Sequence, residues 1–239
     1  MKNYRFLQQI TTAITVVTLF SCEGNVLRKT EQANATGEQQ IQPNISYGEL
    51  IIKEQSDYLM IPVNLTDSNQ DKDNKFDISR SYERKNNNRW YNFIFYNKQT
   101  GENNILLNKK AIITSFDLLE VKTAGKPPIR LWFYKIIDQD TNGDKKLNGE
   151  DALTGYFSDL SGKNLQQITP NNTTILTWVV LPSQNALFLK IIKDSDNNKK
   201  FTQVDKTNFI RVNLAQPSIG NEIIGDKIEQ QIKSTINSQ

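Results

Sequence analysis

The chain repeats itself, and the repeat limits what it can fold into. Asp140-Thr-Asn-Gly-Asp-Lys-Lys-Leu-Asn-Gly-Glu-Asp151 aligns without a gap on Asp194-Ser-Asp-Asn-Asn-Lys-Lys-Phe-Thr-Gln-Val-Asp205, 54 positions on. Each loop begins and ends on Asp, and each carries Lys-Lys followed by one apolar residue. The flanks repeat too. Ile112–Phe116, Ile129–Ile137, the first loop, Gly155–Leu160 and Leu165–Thr169 follow one another as Ile175–Leu181, Ala186–Ile192, the second loop and Asn208–Leu214 do. These runs are rich in β-branched and aromatic residues and bounded by turn formers, as strands are. A looser first unit runs through Gly48–Lys53, Tyr58–Leu65, a polar loop, Trp90–Tyr96 and Asn104–Leu107.

A repeat of about 60 residues is one supersecondary unit that buries its apolar face on its neighbours. The expectation is an all-β domain over 45–239 made of three repeated four-stranded antiparallel units. They span about 45–108, 109–170 and 171–221. Three units are fewer than the roughly four to eight blades of a closed propeller, so the arrangement is propeller-like or a sandwich. The period then changes. Ile224, Ile228, Ile232 and Ile236 recur every four residues, which predicts a C-terminal amphipathic helix over 222–236 packing on the sheets. Open strand edges invite pairing with a second copy, a homodimer.

Composition excludes whole classes of chemistry. There is no histidine, so there is no Ser-His-Asp triad, Cys-His dyad or His-ligated metal. A single cysteine forms no intramolecular disulfide and no CxxC site. That cysteine has another explanation. Lys2 and Arg5 precede an apolar run of 11 residues, Ile10–Phe20, too short to span a bilayer at roughly 20 residues per helix. Leu19-Phe20-Ser21-Cys22 follows and resembles a bacterial lipobox. The resemblance implies a lipoprotein signal peptide over 1–21, cleavage before Cys22 and lipidation of Cys22. Two or more acyl chains hold a protein stably at a membrane where one is marginal. The polar stretch 22–44 is then a flexible tether, and the location is the bacterial cell envelope, at its periplasmic face or the cell surface. Losing Lys2 and Arg5 leaves a chain close to neutral, which gives no reason to expect nucleic acid.

The repeated loops resemble EF-hand or dockerin calcium loops, which supply oxygen ligands at positions one, three, five, seven, nine and twelve. The resemblance implies Ca²⁺ held by Asp140, Asn142, Asp144 and Asp151 through side chains, by Lys146 through its carbonyl and by Asn148 directly or through a water. In the second loop it implies Asp194, Asp196, Asn198 and Asp205, with the carbonyl of Lys200. Both loops depart from the pattern. Position six, a glycine in the family, is Lys145 and Lys199, and position twelve is Asp instead of the longer Glu, so weak sites are expected. A third loop, Asn69–Arg80, places Arg80 at position twelve and is degenerate.

Tyr156–Pro170 resembles a blade of the TolB-like β-propellers, with a strand ending in Asp, a glycine turn and a strand ending in Ile-Thr. Phe95–Glu102 and Trp178 with Pro182-Ser183 are weaker matches. In layout the chain also resembles small bacterial lipoproteins of no assigned activity. These observations point to a non-catalytic, membrane-anchored envelope lipoprotein whose calcium-stabilised loops present a surface to a protein or glycan partner. Two alternatives are a glycan-binding module stacking sugars on Trp90, Tyr91, Trp132 and Tyr134, and a glycan hydrolase using two carboxylates. For the latter, Glu83, Glu102 and Glu150 are available but nothing in the sequence pairs them.

Overall fold

The computed structural model describes residues 44–66 and 89–238. The signal segment, Cys22, most of the tether and the loop 69–80 lie outside the described residues. Among the described residues no helix is long and apolar enough to cross a membrane.

The described chain is all-β apart from a 3-10 turn at Pro182–Gln184 and a C-terminal α-helix, and its strands form three antiparallel sheets. The first holds β1 (Asn44–Tyr47), β2 (Ile51–Ile52), β3 (Tyr58–Thr66), β4 (Asn92–Asn97) and β5 (Asn103–Ile105). The second holds β6 (Ile112–Val121), β7 (Ile129–Ile137), β8 (Thr154–Ser158) and β9 (Gln166–Gln167). The third holds β10 (Thr173–Leu181), β11 (Ala186–Lys193), β12 (Lys206–Asn213) and β13 (Asn221–Glu222). The long polar loops join second and third strands in the latter two sheets, where the repeat places them.

The first sheet departs from the expected four strands. The predicted strand Gly48–Lys53 is replaced by two short ones, β1 opposite Val63–Thr66 and β2 opposite Leu59–Met60. Pro62 sits at the break. Its carbonyl accepts from the Gly48 N–H at 2.9 Å, but it has no N–H to return, so the edge ladder is interrupted there.

The middle sheet is buried on both faces. On β7, Trp132, Tyr134 and Ile136 point into a core with Met60, Phe93 and Phe95 of the first sheet. Phe133 points the other way, into a core with Leu187, Leu189, Ile191 and Ile210 of the third. Alternate residues of a strand face opposite sides, so a strand apolar at successive positions, as Leu131–Tyr134 is, suits a layer covered twice. Phe133 and Tyr134 are each 0% exposed. The Tyr134 hydroxyl still finds a partner, Ser158 Oγ at 3.0 Å, and burial pushes its pKa up. Trp132 and Tyr134 are therefore core residues and offer no platform to a sugar.

Two local devices recur. β6 carries a bulge between Ile113 and Ser115, and β10 carries one between Ile175 and Thr177. Asn92, at the start of β4, donates to the Leu107 carbonyl at 2.8 Å and accepts from its N–H at 2.9 Å. Asn208, in β12, does the same with Ile224, at 2.9 Å and 3.1 Å. Each asparagine ties the segment after the last strand of its sheet back to the next-to-last strand.

The helix α1 spans Asp226–Asn237, shorter at its start than predicted. Asn221 and Glu222 are taken by β13, which pairs with Arg211 and Ile210, and Gly225 caps the helix. The helix does not pack as expected. None of its residues is buried, and Ile228, Ile232 and Ile236 remain exposed. Its ties are polar, Glu229 bonding Lys233 at 2.6 Å and Lys206 at 3.5 Å.

The first two sheets lock at one glycine. Gly162, in the β8–β9 turn, has φ +75°, and a Cβ built there would lie 2.2 Å from the Phe95 ring. Asp159 holds this turn by accepting from the Ser161 and Lys163 N–H groups. Gly162→Ala combines a left-handed alanine with overpacking against Phe95 and should cost about 2–4 kcal/mol, read as a lowered urea midpoint.

Candidate metal centre

Both repeated loops fold the same way. In the first, Asp140 accepts from the N–H groups of Gly143 at 2.7 Å, Asp144 at 3.1 Å and Lys145 at 2.8 Å. In the second, Asp194 accepts from Asn198 at 3.1 Å and Lys199 at 3.0 Å. The closing aspartates clasp both ends of their loops. Asp151 accepts from the Thr141 and Asn148 N–H groups at 2.8 Å and 2.9 Å. Asp205 accepts from those of Ser195 and Thr202 at 3.0 Å and 2.8 Å. The bonds of the middle side chains repeat as well. Asn142 caps Asp144, Asp144 caps Lys146, Asp196 caps Asn198 and Asn198 caps Lys200. Asn148 caps Glu150 in the first loop only.

The backbone takes the turn that a calcium loop needs, despite the side chain. Lys145 has φ 66° and Lys199 φ 64°, both left-handed. Each costs about 1–2 kcal/mol relative to an unstrained position. The cost is offset by the carboxylate that binds the same residue's N–H. Position four matches too, with Gly143 at φ 78° and Asn197 at φ 59°.

Burial separates the donors. Asp151 and Asp205 are 4% and 6% exposed, whereas Asp140, Asp144, Asp196 and Asn198 are exposed. Asn142, Asn148 and Asp194 are half-buried, and Lys146 and Lys200 are exposed. In the second loop one carboxylate oxygen each of Asp194, Asp196 and Asp205 lies within 4.8 Å of the others. Among the described residues no other such trio of carboxylates forms; the first loop has its third aspartate at Asp144, position five, where the second has Asp196 at position three.

Matched against known proteins, the chain finds no family model, no curated protein and no solved structure. Its function has to be argued from its own geometry.

Sequence reasoning treated the loops separately, but the structure brings them to one cleft. A cavity of about 650 Å³ is lined by Asn142 and Asp151 of the first loop, Lys200 and Phe201 of the second, and Thr114 and Leu176. Thr114 and Leu176 are the extra residues of the two bulges. Bulges re-aim side chains, and here both line the space between the loops. Sequence reasoning also missed Asp138. Its buried carboxylate is held by Lys109 Nζ at 2.5 Å and the Tyr156 hydroxyl at 2.7 Å, and it fixes the strand end that enters the first loop. No motif marked it, since its partners lie far away in sequence.

The N–H groups of Thr202 and Ser195 hold the Asp205 carboxyl below the usual carboxylate range. A depressed folded pKa contributes stability that is full above the unfolded value and is lost as pH falls through the folded one. A carboxyl NMR titration should place Asp205 below the free-aspartate value of about 3.9. Asp205→Asn should then shrink the stability lost between about pH 6 and about pH 3. An Asp205 titrating at the free value would count against this clasp.

Proposed function

We propose that the protein is a non-catalytic, lipid-anchored lipoprotein of the bacterial envelope, at its periplasmic face or the cell surface. Two weak calcium loops stiffen a cleft that receives a protein or glycan partner. The observation that carries this reading is the cleft itself, with one repeated loop on either side and a bulge residue from each neighbouring sheet in its wall.

Three observations support calcium. The two loops share their backbone hydrogen bonds, both adopt the left-handed turn at position six, and the second gathers three carboxylates. Ca²⁺ takes six to eight hard oxygens in a flexible geometry, so the side chains of Asp194, Asp196, Asn198 and Asp205 would bind it with the Lys200 carbonyl. In the first loop Asp140, Asn142, Asp144, Asn148 and Asp151 would do so with the Lys146 carbonyl. Calcium here would fix long loops and carry no reaction. The fold is best taken as propeller-like, because each sheet covers the next face to face, as blades do. A carboxylate hydrolase has less behind it. Glu102 follows the β4–β5 turn, Glu150 sits in the first repeated loop, and Glu83 lies outside the described residues.

Thermal unfolding in EDTA and in Ca²⁺ tests the metal. Two sites with a Kd of about 0.1 mM add roughly 2.8 kcal/mol at about 1 mM Ca²⁺, a rise of roughly 6–11 °C. Asp140→Ala combined with Asp194→Ala should remove most of it, and an unchanged Tm on adding Ca²⁺ would sink the calcium reading. The anchor is tested by feeding cells labelled palmitate. The chain should carry label, and Cys22→Ala should lose it and leave the membrane fraction; label retained by that variant would refute the lipobox.

A further inference from the structure

Among the described residues the sheets meet in one way, and the outer faces at both ends of the stack carry exposed apolar side chains. The face of the first sheet that carries Met60, Phe93 and Phe95 meets the face of the second that carries Trp132, Tyr134 and Tyr156. The opposite face of the second, with Phe133 and Phe157, meets the face of the third that carries Leu187, Leu189 and Ile210. Each contact thus joins the following face of one sheet to the preceding face of the next.

The first sheet also has a preceding face. Met60 pairs with Phe95 and Pro62 with Phe93, so Ile61, Ile94 and Ile105, which pair across β3, β4 and β5, lie on the other side. Leu59, Ile52 and Tyr96 share that side, as do Leu65 and Ile45. This face is as apolar as the preceding face of the third sheet; its outer positions Ile45, Ile52 and Ile105 are 56%, 60% and 56% exposed, while Leu59, Ile61, Leu65 and Ile94 are half-buried and Val63 is buried. The third sheet in turn has a bare following face. Val179 pairs with Phe188 there and Phe209 lies on the same side, with Lys190 opposite Phe209 and Arg211 opposite Phe188, and Val179 is 60% exposed.

We propose that a second copy of this chain covers both, the third sheet of each copy packing its following face on the preceding face of the other's first sheet. The arrangement repeats inside the chain twice already, and at this third contact Arg211 stands beside Phe188 where Phe157 stands beside Phe133 in the buried one. Two such contacts related by a two-fold axis close a ring of six sheets, within the roughly four to eight blades that close a propeller. Four strands about 4.8 Å apart and about six residues long make a face of roughly 400 Å² in plan, and closure covers four, roughly 1,600 Å² in all, the size of a standard stable interface. The chain's own remaining segments suit the role poorly. Residues 23–43 bring only Val26, Leu27 and Ile41 as large apolar side chains, and residues 67–88 only Phe76, Ile78 and Tyr82.

The inference rests on the stacking of the sheets and not on calcium, so it is tested in EDTA and in Ca²⁺ alike. Whole chain in mild detergent should sediment with twice the mass of one copy, corrected for bound detergent. In a Cys22→Ser background, Ile105→Cys chains mixed with Val179→Cys chains should be joined by a short bis-maleimide, and neither should be joined to itself. Ile52→Asp with Ile105→Asp should halve the mass while the circular dichroism stays unchanged, since both side chains are mostly in solvent. Four results would overturn the proposal: the mass of one copy, joining of Ile105→Cys chains to each other, a double-Asp variant that keeps the doubled mass, or a single copy that floats with phospholipid vesicles through these faces.

Discussion

The two-sided burial of β7 is the contact on which the rest depends. Ile129–Ile137 puts Trp132, Tyr134 and Ile136 into one core and Phe133 into the other, so a single strand stands between both. A fully buried large side chain is worth roughly 1.5–3 kcal/mol, and several of the largest buried ones lie on or against this strand. The aromatic contacts follow the same division. Phe93 meets Tyr134 on one side, and Phe133 meets Phe157 and Trp178 on the other. Without the middle layer the first and third sheets would each keep a bare face in water.

The polar loops depend on this layer as well. Each hangs between the second and third strands of a sheet, and its two ends are fixed by strands locked in the core. Within that frame, carboxylates do locally what helices and sheets do elsewhere. Asp140, Asp151, Asp194 and Asp205 satisfy backbone N–H groups that no strand pairs. The same oxygens are the ones a hard cation would use. One arrangement thus stiffens each loop and gathers oxygens of the kind a hard cation takes, and the left-handed lysines are the strain that it tolerates.

Strands, repeat and loops were legible in the sequence because each rests on local pattern. Alternation and β-branching mark β7 and β11, and the paired Asp and Lys-Lys mark the loops. Two expectations failed for reasons that local pattern does not contain. The edge of the first sheet breaks because Pro62 faces it without an N–H, which depends on which strand lies beside Pro62. The isoleucine stripe of α1 has helical spacing, but spacing does not say what the helix touches, and it touches little. The asparagine bridges of Asn92 and Asn208 were invisible among so many asparagines, since their partners are set by the return of a later segment.

The sequence by itself determined most of the strands and the two loops, because strand propensity, turn chemistry and the spacing of Asp and Asn act over a few residues. Only the tertiary structure decided that the middle sheet is buried twice, that both loops and both bulges share one cleft, and that apolar faces remain bare at the two ends. The physical reason is that an apolar strand face is equally content against any layer that excludes water. Which layer covers it is chosen by the packing of the whole chain.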